Sequence, residues 1–249
     1  DDIDISYDEA IDKLDKLLLD SVEYRKISDV EVGLYLSGGL DSTLIGSLLS
    51  FNTKIKSFNV DFDETFDGYE GELNEAKFSA NQINVDLIHK SITFEEFKSI
   101  ISNYSYYQDD LIGDEVGIPL YFLGKLAKSN GLKVVQVGEG ADELFYGYEH
   151  WQRFVKLYKN IPKISKPNSN NYFKSHRPNL LFNIIQNSNP FPGGAVGFNL
   201  TQIDKLVNYD LASKSNLINF SDNLWEDYLL RDNFSITKWM TLVDLKIRL

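Results

Sequence analysis

The feature that most constrains the fold is the alternation of short β-rich runs with helical segments. Segments such as "GELNEAKFSANQIN" and "IPLYFLGKLAKSNG" separate the runs and have the periodicity of helices. Because parallel strands need long crossover connections, which are usually helices, this order predicts an α/β fold, a doubly wound parallel sheet with helices on both faces. The four predicted strands are "VGLYLS" (32–37), "IKSFNVDF" (55–62), "DLIHKSI" (86–92) and "LKVVQVG" (132–138).

Further helical segments flank this pattern. Ser6 and Glu9 have the spacing of a capping box, which predicts a helix at the start of the chain. Beyond Leu200 the apolar residues recur at helical spacing again, which predicts an added helical section. Between them, residues 160–194 are rich in Asn, Ser, Lys and Pro and are typical of a mobile surface segment. We expect one domain over residues 1–249.

Composition excludes several classes of function. Asp and Glu number 37 against 25 Lys and Arg, a formal charge of −12 that disfavours nucleic acid and anionic membranes as partners. The chain has no cysteine, so thiolate zinc sites and thiol nucleophiles are excluded. No apolar run approaches the ~20 residues that span a bilayer, and the acidic N-terminus is unlike a signal peptide. We therefore expect a cytoplasmic protein without membrane insertion.

The segment "SGGLDS" follows the first predicted strand, where α/β sheets bind ligands. Gly38 and Gly39 permit close approach of a ligand to the backbone. Ser37 and Ser42 add hydroxyl donors, which suits a phosphate or pyrophosphate. Asp41 would repel a phosphate unless a cation lay between them, so the segment also predicts Mg²⁺. The alternative is a Gly-Gly turn with an aspartate that caps a helix.

A second segment, "VVQVGEGADELFYGYEHW", places three carboxylates after the last predicted strand. Glu139, Asp142 and Glu143 repel one another, and such clusters usually serve a metal, a cation or proton transfer. The alternative is an acidic first helical turn that the helix dipole stabilises. That alternative accounts for Asp142 and Glu143 but poorly for Glu139.

These segments carry a resemblance to a known family. "VGLYLSGGLDSTLIGSLL", "SFNVDFDE", "GEGADELFYGY" and the closing "TLVDLKIRL" resemble the synthetase domain of asparagine synthetase, in the adenine nucleotide α-hydrolase (PP-loop) superfamily. The resemblance covers residues 20–150 and resumes at about residue 225. "SGGLDS" alone marks the superfamily, whereas its pairing with "GEGADELF" is specific to the asparagine synthetase and β-lactam synthetase group.

The resemblance implies an activity and a set of site residues. The activity is amidation of a carboxylate, normally that of aspartate, through an acyl-AMP intermediate with ATP and Mg²⁺. Asp41 and Asp142 match the Mg²⁺ ligands. Glu139 matches the glutamate linked to acyl-adenylate formation, which can also serve as base for the attacking amine. The pyrophosphate loop is matched by Ser37, Gly38, Gly39, Asp41 and Ser42, and the adenosine contacts are matched by Leu36, Val60, Val137 and Gly138.

The chain also departs from the family. "ELFYGY" replaces "ELFGGY", which puts Tyr146 in the place of a glycine beside the expected active-site mouth and leaves the carboxylate substrate open. The chain does not begin with the cysteine of a glutaminase domain, so a separate glutaminase domain or subunit is an expected partner. It stops before the family's "RVPFLD"-type motif and catalytic lysine, as a piece of a longer amidotransferase would.

Three functions remain open from the sequence. The first is asparagine synthesis from aspartate, ATP and ammonia or glutamine. The second is amidation of another carboxylate, such as a sugar acid of a surface polysaccharide. The third is a catalytically silent nucleotide-binding subunit, which the joint presence of Asp41, Glu139 and Asp142 disfavours because a pure binder needs no base.

Overall fold

The structure is a computed structural model that describes residues 4–63, 71–107, 116–160, 189–191, 216–230 and 235–247. The chain divides into two compact units, an N-terminal unit of residues 1–139 and a C-terminal unit of residues 140–249. The single domain expected over residues 1–249 stays a prediction. Most of the segment 160–194, for which mobility is predicted, lies outside the described residues.

The N-terminal unit alternates helices and strands as predicted. Its strands pair in parallel in the order β3-β2-β1-β4, which confirms the doubly wound α/β fold. The chain builds outward from β1 to β3 and then crosses back to place β4 on the other side of β1. The elements are α1 (Tyr7–Arg25), β1 (Val32–Tyr35), α2 (Leu40–Ser50), β2 (Lys56–Phe62), α3 (Leu73–Gln82), β3 (Asp86–Ile92), α4 (Phe94–Ile101), a 3₁₀ turn (Tyr104–Tyr107), α5 (Gly117–Ser129) and β4 (Val134–Gln136).

Helix α1 begins at the predicted capping box. The Ser6 side chain accepts a hydrogen bond from the Glu9 backbone N–H at 3.2 Å. In return, the Glu9 carboxylate accepts from the Ser6 backbone N–H at 2.9 Å. Two backbone donors at the helix start are thus satisfied, which is why the helix begins here.

None of the helices in the described ranges combines the length and the hydrophobicity that a membrane-spanning helix needs.

Apolar side chains cover both faces of the sheet. Leu34 and Leu36 of the first strand region pack with Val22 of α1 and Leu49 of α2. Tyr35, also of β1, packs in a different cluster with Phe58 of β2. Because successive side chains of a strand point to opposite faces, one short strand contributes to two apolar layers. The strand ends are therefore held from both sides, which fixes the positions of the loops that follow them.

The C-terminal unit is helical among its described residues, with an aromatic core. It contains α6 (Ala141–Phe145), α7 (Glu149–Asn160), α8 (Asn216–Leu229) and α9 (Ile236–Ile247). Trp151, Trp225 and Trp239 are buried together, and the Trp239 indole donates a hydrogen bond to the Phe191 carbonyl at 3.1 Å. The helical section predicted beyond Leu200 is confirmed for α8 and α9, while residues 201–215 lie outside the description.

Candidate nucleotide-binding site

The loop between β1 and α2 is a tight turn packed against the start of α3. The Leu36 N–H donates to the Phe58 carbonyl at 2.9 Å, which carries the pairing with β2 past the end of β1. Gly38 then adopts φ +92°, in the left-handed region that favours glycine. A Cβ at Gly38 would lie 2.5 Å from the Ala76 nitrogen, so no side chain fits. The loop path therefore requires glycine here.

Two serine hydroxyls close this loop. Ser37 Oγ lies 3.0 Å from Ser42 Oγ and accepts a hydrogen bond from the Gly39 N–H at 3.2 Å. Ser42 Oγ also lies 3.3 Å from the Gly39 carbonyl, as a donor to it. The two predicted hydroxyls thus lie side by side at the start of α2.

The N-terminus of α2 is open to a ligand. Gly39 is its N-cap residue and makes no side-chain cap bond, so backbone N–H groups of the first turn have no capping oxygen from it. A Cβ at Gly39 would approach only Ser37 Oγ, at 3.4 Å, and otherwise meet open space. Asp41 lies in this first turn. An uncapped helix start with free space in front of it suits an anion.

The chain returns to this loop after β4. Strand β4 pairs directly with β1, and Gly138 follows it. A Cβ at Gly138 would lie 2.6 Å from the Ser42 nitrogen and 2.7 Å from the Asp41 carbonyl carbon. The start of "GEGADELF" therefore touches the backbone of "SGGLDS". This point lies between β1 and β4, where the strand order reverses and doubly wound sheets bind ligands.

An open cleft with a volume of about 220 Å³ lies at this place within the N-terminal unit. Gly38, Gly39 and Asp41 lie on the neighbouring loop but do not line it. The predicted site residues that do line it are Leu36, Ser37, Ser42, Val60, Val137, Gly138 and Glu139. The lining residues that sequence reasoning missed are Tyr35, Phe58, Asn59, Glu72, Val116, Pro119, Leu120 and Leu123. Among these missed residues, only Asn59 offered a signal in the sequence, because it is a polar residue within a predicted strand.

Two ionisable side chains that line the cleft have raised pKa values. Burial raises the pKa of the Glu72 carboxyl, and the neighbouring charge of Glu75 raises that pKa further. Burial also raises the pKa of the Tyr35 hydroxyl. Both shifts have the sign expected where charged forms lose solvation. Apolar walls with a few polar groups are typical of sites for small molecules.

The acidic residues of the C-terminal unit divide into two kinds. Glu143 is 4 % exposed, and its carboxylate accepts a hydrogen bond from the Tyr148 hydroxyl at 2.8 Å. Its backbone carbonyl accepts from Thr241 Oγ1 at 2.9 Å, so Glu143 has a structural role. Asp142 lies in the first turn of α6 beside Gly147, where a Cβ would collide with its carboxylate. Glycine at position 147 therefore leaves room for Asp142.

The predicted magnesium ligands lie in different units, Asp41 in the N-terminal and Asp142 in the C-terminal unit. That they share an ion stays a prediction. Within the described part of the chain, no group of three or more His, Asp or Glu side chains forms a metal site. The protein groups described here do not make a complete cage, so any Mg²⁺ would need oxygen ligands from a substrate or water.

Tyr146 packs into the aromatic core of the C-terminal unit. It has φ +66°, a left-handed conformation that is unusual for a bulky residue. Its ring contacts Trp151 edge to face, with 5.5 Å between the ring centroids. Burial raises the pKa of the Tyr146 hydroxyl to about 12. Its predicted influence on the substrate stays a prediction.

With this geometry in view, comparison with known proteins gives the class of the chain. Residues 13–221 match the family described as Asparagine synthase. The match spans most of the chain and includes both the "SGGLDS" and the "GEGADELF" segments. The chain belongs to the Asparagine synthase family.

Curated relatives agree with this assignment over part of their length. The chain is 36% identical over 158 residues to "Asparagine synthetase [glutamine-hydrolyzing] 1" of Bacillus subtilis, a match covering 62% of this chain and 24% of that protein. It is 37% identical over 153 residues to "Putative asparagine synthetase [glutamine-hydrolyzing] 1" of Methanocaldococcus jannaschii, covering 61% and 27%. It is 31% identical over 159 residues to "Amidase chyE" of Penicillium rubens, covering 58% and 23%. These matches span about a quarter of each relative.

Proposed function

We propose that this chain supplies the ATP site of a ligase that amidates a carboxylate through an acyl-adenylate, with aspartate as the carboxylate. The observation that carries the proposal is the contact of Gly138 with the backbone of Asp41 and Ser42 at the switch point of the sheet. It brings two segments that are far apart in sequence to one cleft. The names of the bacterial and archaeal relatives support the choice of aspartate.

The nucleotide would lie along the cleft towards the start of α2. Leu36, Val60 and Val137 line the cleft and offer apolar contact to the adenosine. The triphosphate would reach Gly39 and the first-turn N–H groups of α2, where the free space lies. The paired hydroxyls of Ser37 and Ser42 are available as further donors beside it. Local geometry of this kind is needed because the chain as a whole is strongly acidic.

The donor set fits magnesium. Mg²⁺ is commonly held by one or two carboxylates together with substrate phosphates. Asp41 lies in the first turn of α2, next to the proposed phosphate position, and would otherwise repel it. When bound, the ion would offset charge on the leaving pyrophosphate. We propose Asp41 as one ligand, and Asp142 as the second on the strength of the family resemblance.

The chemistry follows from the weakness of a carboxylate as an electrophile. The substrate carboxylate attacks the α-phosphorus of ATP, and pyrophosphate leaves. Ammonia, free or delivered by a glutaminase domain or subunit, then attacks the acyl carbon, and AMP leaves. Glu139, exposed where it lines the cleft, is proposed to accept the proton that the amine loses. Substrates that fill the cleft would displace water and so protect the acyl-adenylate from hydrolysis.

A second candidate is amidation of a different carboxylate, because the relatives of the chain include proteins that are not named asparagine synthetases. Pyrophosphate release by the full gene product, measured with a panel of carboxylates plus ammonia, separates the two. Release that depends on L-aspartate supports asparagine synthesis. Release with another acid but not with aspartate would replace it. Nucleotide binding without pyrophosphate release for any acid would favour the silent subunit.

The nucleotide site itself can be tested on this chain with Gly39→Ser. Serine is a good N-cap residue, so the folding stability should be unchanged or higher. Its hydroxyl would, however, occupy the first-turn N–H groups of α2 that the phosphates are proposed to use. We expect calorimetry with Mg-ATP to show an affinity roughly tenfold weaker, which corresponds to the loss of about one charge-assisted hydrogen bond.

The matched control is Gly124→Ala in α5. A Cβ there would meet only the Tyr35 hydroxyl at an ordinary 3.7 Å, so both stability and ATP affinity should stay near those of the unmodified chain. Equal ATP affinity for Gly39→Ser and the unmodified chain would remove α2 from the phosphate site. Failure of the unmodified chain to bind ATP would contradict the proposed site as a whole.

A further inference from the structure

A buried serine of α3 contacts the loop that follows β1. Ser79 is 5 % exposed, and its hydroxyl donates a hydrogen bond to the Gly38 carbonyl oxygen at 3.4 Å. The same hydroxyl accepts a hydrogen bond from Thr43 Oγ1 of α2 at 3.0 Å. A hydroxyl has one hydrogen to donate, and because Thr43 supplies the hydrogen of its own pair with Ser79, the hydrogen of Ser79 is left for Gly38. One side chain thus joins the loop to both helices.

The backbone of α3 packs against the same side of the loop. A Cβ at Gly38 would lie 2.4 Å from the Glu75 carbonyl carbon and 2.5 Å from the Ala76 nitrogen. These two residues lie four and three positions before Ser79, so all three share one face of α3. The loop therefore has one side that packs against α3 and another side that is left for the cleft.

The peptide group between Gly38 and Gly39 has its two polar groups on these opposite sides. Its carbonyl oxygen accepts from Ser79, whereas its N–H, which belongs to Gly39, donates to Ser37 Oγ at 3.2 Å. Ser37 lines the cleft, so this N–H lies on the cleft side. A trans peptide is planar, with its C=O and N–H pointing in opposite directions. The hydrogen bond from Ser79 to the carbonyl therefore also orients the N–H.

This peptide group needs an external hold because a glycine lies on each side of it. Without Cβ atoms, rotation of the peptide plane by half a turn meets little steric resistance. The rotated peptide would place its carbonyl oxygen on the cleft side, where the oxygen would repel a phosphate. A ligand binds more weakly when only a fraction of the protein has the binding conformation. Loss of the bond from Ser79 should therefore weaken the binding of anions to this loop.

We propose that Ser79, supported by Thr43, is a positioning residue that keeps the Gly39 N–H turned towards the phosphates of the bound nucleotide. This inference rests on the proposed ATP site and adds the residue that fixes the shape of its phosphate-binding loop. Ser79 does not line the cleft, so it acts through the loop and not by touching the ligand. Its effect should fall on the phosphate groups, because the adenosine is proposed to lie against the apolar wall.

The test compares a ligand that has only phosphates with a ligand that has none. Calorimetry on the chain, with pyrophosphate and MgCl₂ and separately with adenosine, gives a dissociation constant for each. In Ser79→Ala we expect the pyrophosphate affinity to fall roughly threefold to tenfold, as for the loss of one neutral hydrogen bond, while the adenosine affinity stays within about twofold. Alanine is a better helix former than serine, so α3 should remain folded.

Two further comparisons separate positioning from general disturbance. Thr43→Val keeps the shape of the side chain but removes its hydroxyl, and it should weaken pyrophosphate binding by about twofold to threefold. Thr43→Ser keeps the hydroxyl and should bind pyrophosphate like the unmodified chain. The matched control is Ser57→Ala, which also removes a buried serine hydroxyl, one that donates to the Asp86 carbonyl at 3.0 Å and does not line the cleft. It should leave both affinities unchanged even where it lowers stability.

The failure of this inference can be told apart from the failure of the proposed function. An unchanged pyrophosphate affinity in a folded Ser79→Ala, or an equal loss for adenosine, would overturn the inference and leave the ATP site in place. Far-UV circular dichroism checks folding. If Ser79→Ala does not fold, equal pyrophosphate affinities for Thr43→Val and Thr43→Ser would overturn the inference instead. If the unmodified chain binds neither ATP nor pyrophosphate, the proposed function fails and the inference fails with it.

Discussion

The two units use their polar residues in opposite ways. In the N-terminal unit, the polar side chains of Ser37 and Ser42 lie beside the carboxyl end of β1, where they line an open cleft. In the C-terminal unit, Glu143 is enclosed in the protein and satisfied by Tyr148. An acidic or polar residue in a motif is thus no guide to function by itself. Its burial and partners decide whether it binds a ligand or completes a core.

The units also differ in what fills their cores. All three tryptophans of the chain, Trp151, Trp225 and Trp239, lie in the aromatic core of the C-terminal unit. The N-terminal layers contain aliphatic side chains such as Leu34 and Leu49. Tryptophan fluorescence therefore reports on the C-terminal unit, while far-UV circular dichroism reports on both. This difference makes it possible to disturb one unit and observe it separately.

The largest effect is expected from Trp239→Ala. Trp239 is fully buried against Trp225 and Tyr228 and also donates a hydrogen bond. We expect its loss to lower the free energy of unfolding of the C-terminal unit by about 3–5 kcal/mol. Urea titration followed by the fluorescence of the two remaining tryptophans measures it. The control Phe220→Ala, at an exposed position of α8, should change it by less than about 0.5 kcal/mol. Equal midpoints for the two variants would contradict the assigned core.

A smaller effect is expected in the other unit from Gly138→Ala. The added methyl would meet backbone atoms of Ser42 and Asp41, which cannot move aside as a flexible side chain can. We expect destabilisation by about 1–3 kcal/mol, measured by urea titration with circular dichroism, together with weaker ATP binding. Gly124→Ala provides the comparison, since its methyl meets no atom closer than 3.7 Å. Full ATP affinity in a folded Gly138→Ala would argue against the proposed site.

The smallest effect is expected from Glu72→Gln. The pKa of Glu72 is raised in the folded chain by burial and then by Glu75. A raised pKa contributes stability that is fully present below the unfolded pKa and is lost as pH rises through the folded pKa. Removing the charge should therefore stabilise the chain at pH 7, by less than about 1 kcal/mol because the carboxyl is part-exposed.

The prediction for Glu72→Gln is checked by comparing the stability of the variant with that of the unmodified chain at two pH values. At pH about 3, where Glu72 carries its proton in both folded and unfolded chains, the variant and the unmodified chain should melt at similar temperatures. A loss of stability in Glu72→Gln at pH 7 would mean that the carboxylate is held by a partner and is not penalised by burial.

Local patterns made much of the N-terminal fold predictable. The capping box at Ser6 and the four strands are confirmed, because caps and buried β-rich runs depend on neighbours in sequence. Strand ends were less predictable. The first strand ends at Tyr35 rather than residue 37, because Ser37 to Gly39 form the loop and the Leu36 N–H makes the last hydrogen bond to β2. Such boundaries depend on the turn and on the neighbouring strand.

The candidate site was only partly predictable for a related reason. Glycines and hydroxyls of "SGGLDS" stand next to each other in sequence, so their chemistry was visible. Asn59 and Glu72 line the cleft because of tertiary neighbours, which no local pattern records. The packing of the Tyr146 ring on Trp151 has no signal in the sequence either, and its influence on the substrate stays a prediction. The direction of a side chain follows from tertiary packing, not from its position in a motif.

The pairing of β4 with β1 has a consequence for how the chain is made. Residues 134–136 complete a sheet whose first strand begins at residue 32. At about 5–20 residues per second, a ribosome needs on the order of 5–20 s to make the intervening chain. Throughout that time the edge of β1 that β4 will cover has no partner from β4, and such edges can pair with other chains. The pairing of β4 with β1 therefore completes the cleft, and it also ends the time during synthesis in which this edge of β1 can pair with another chain.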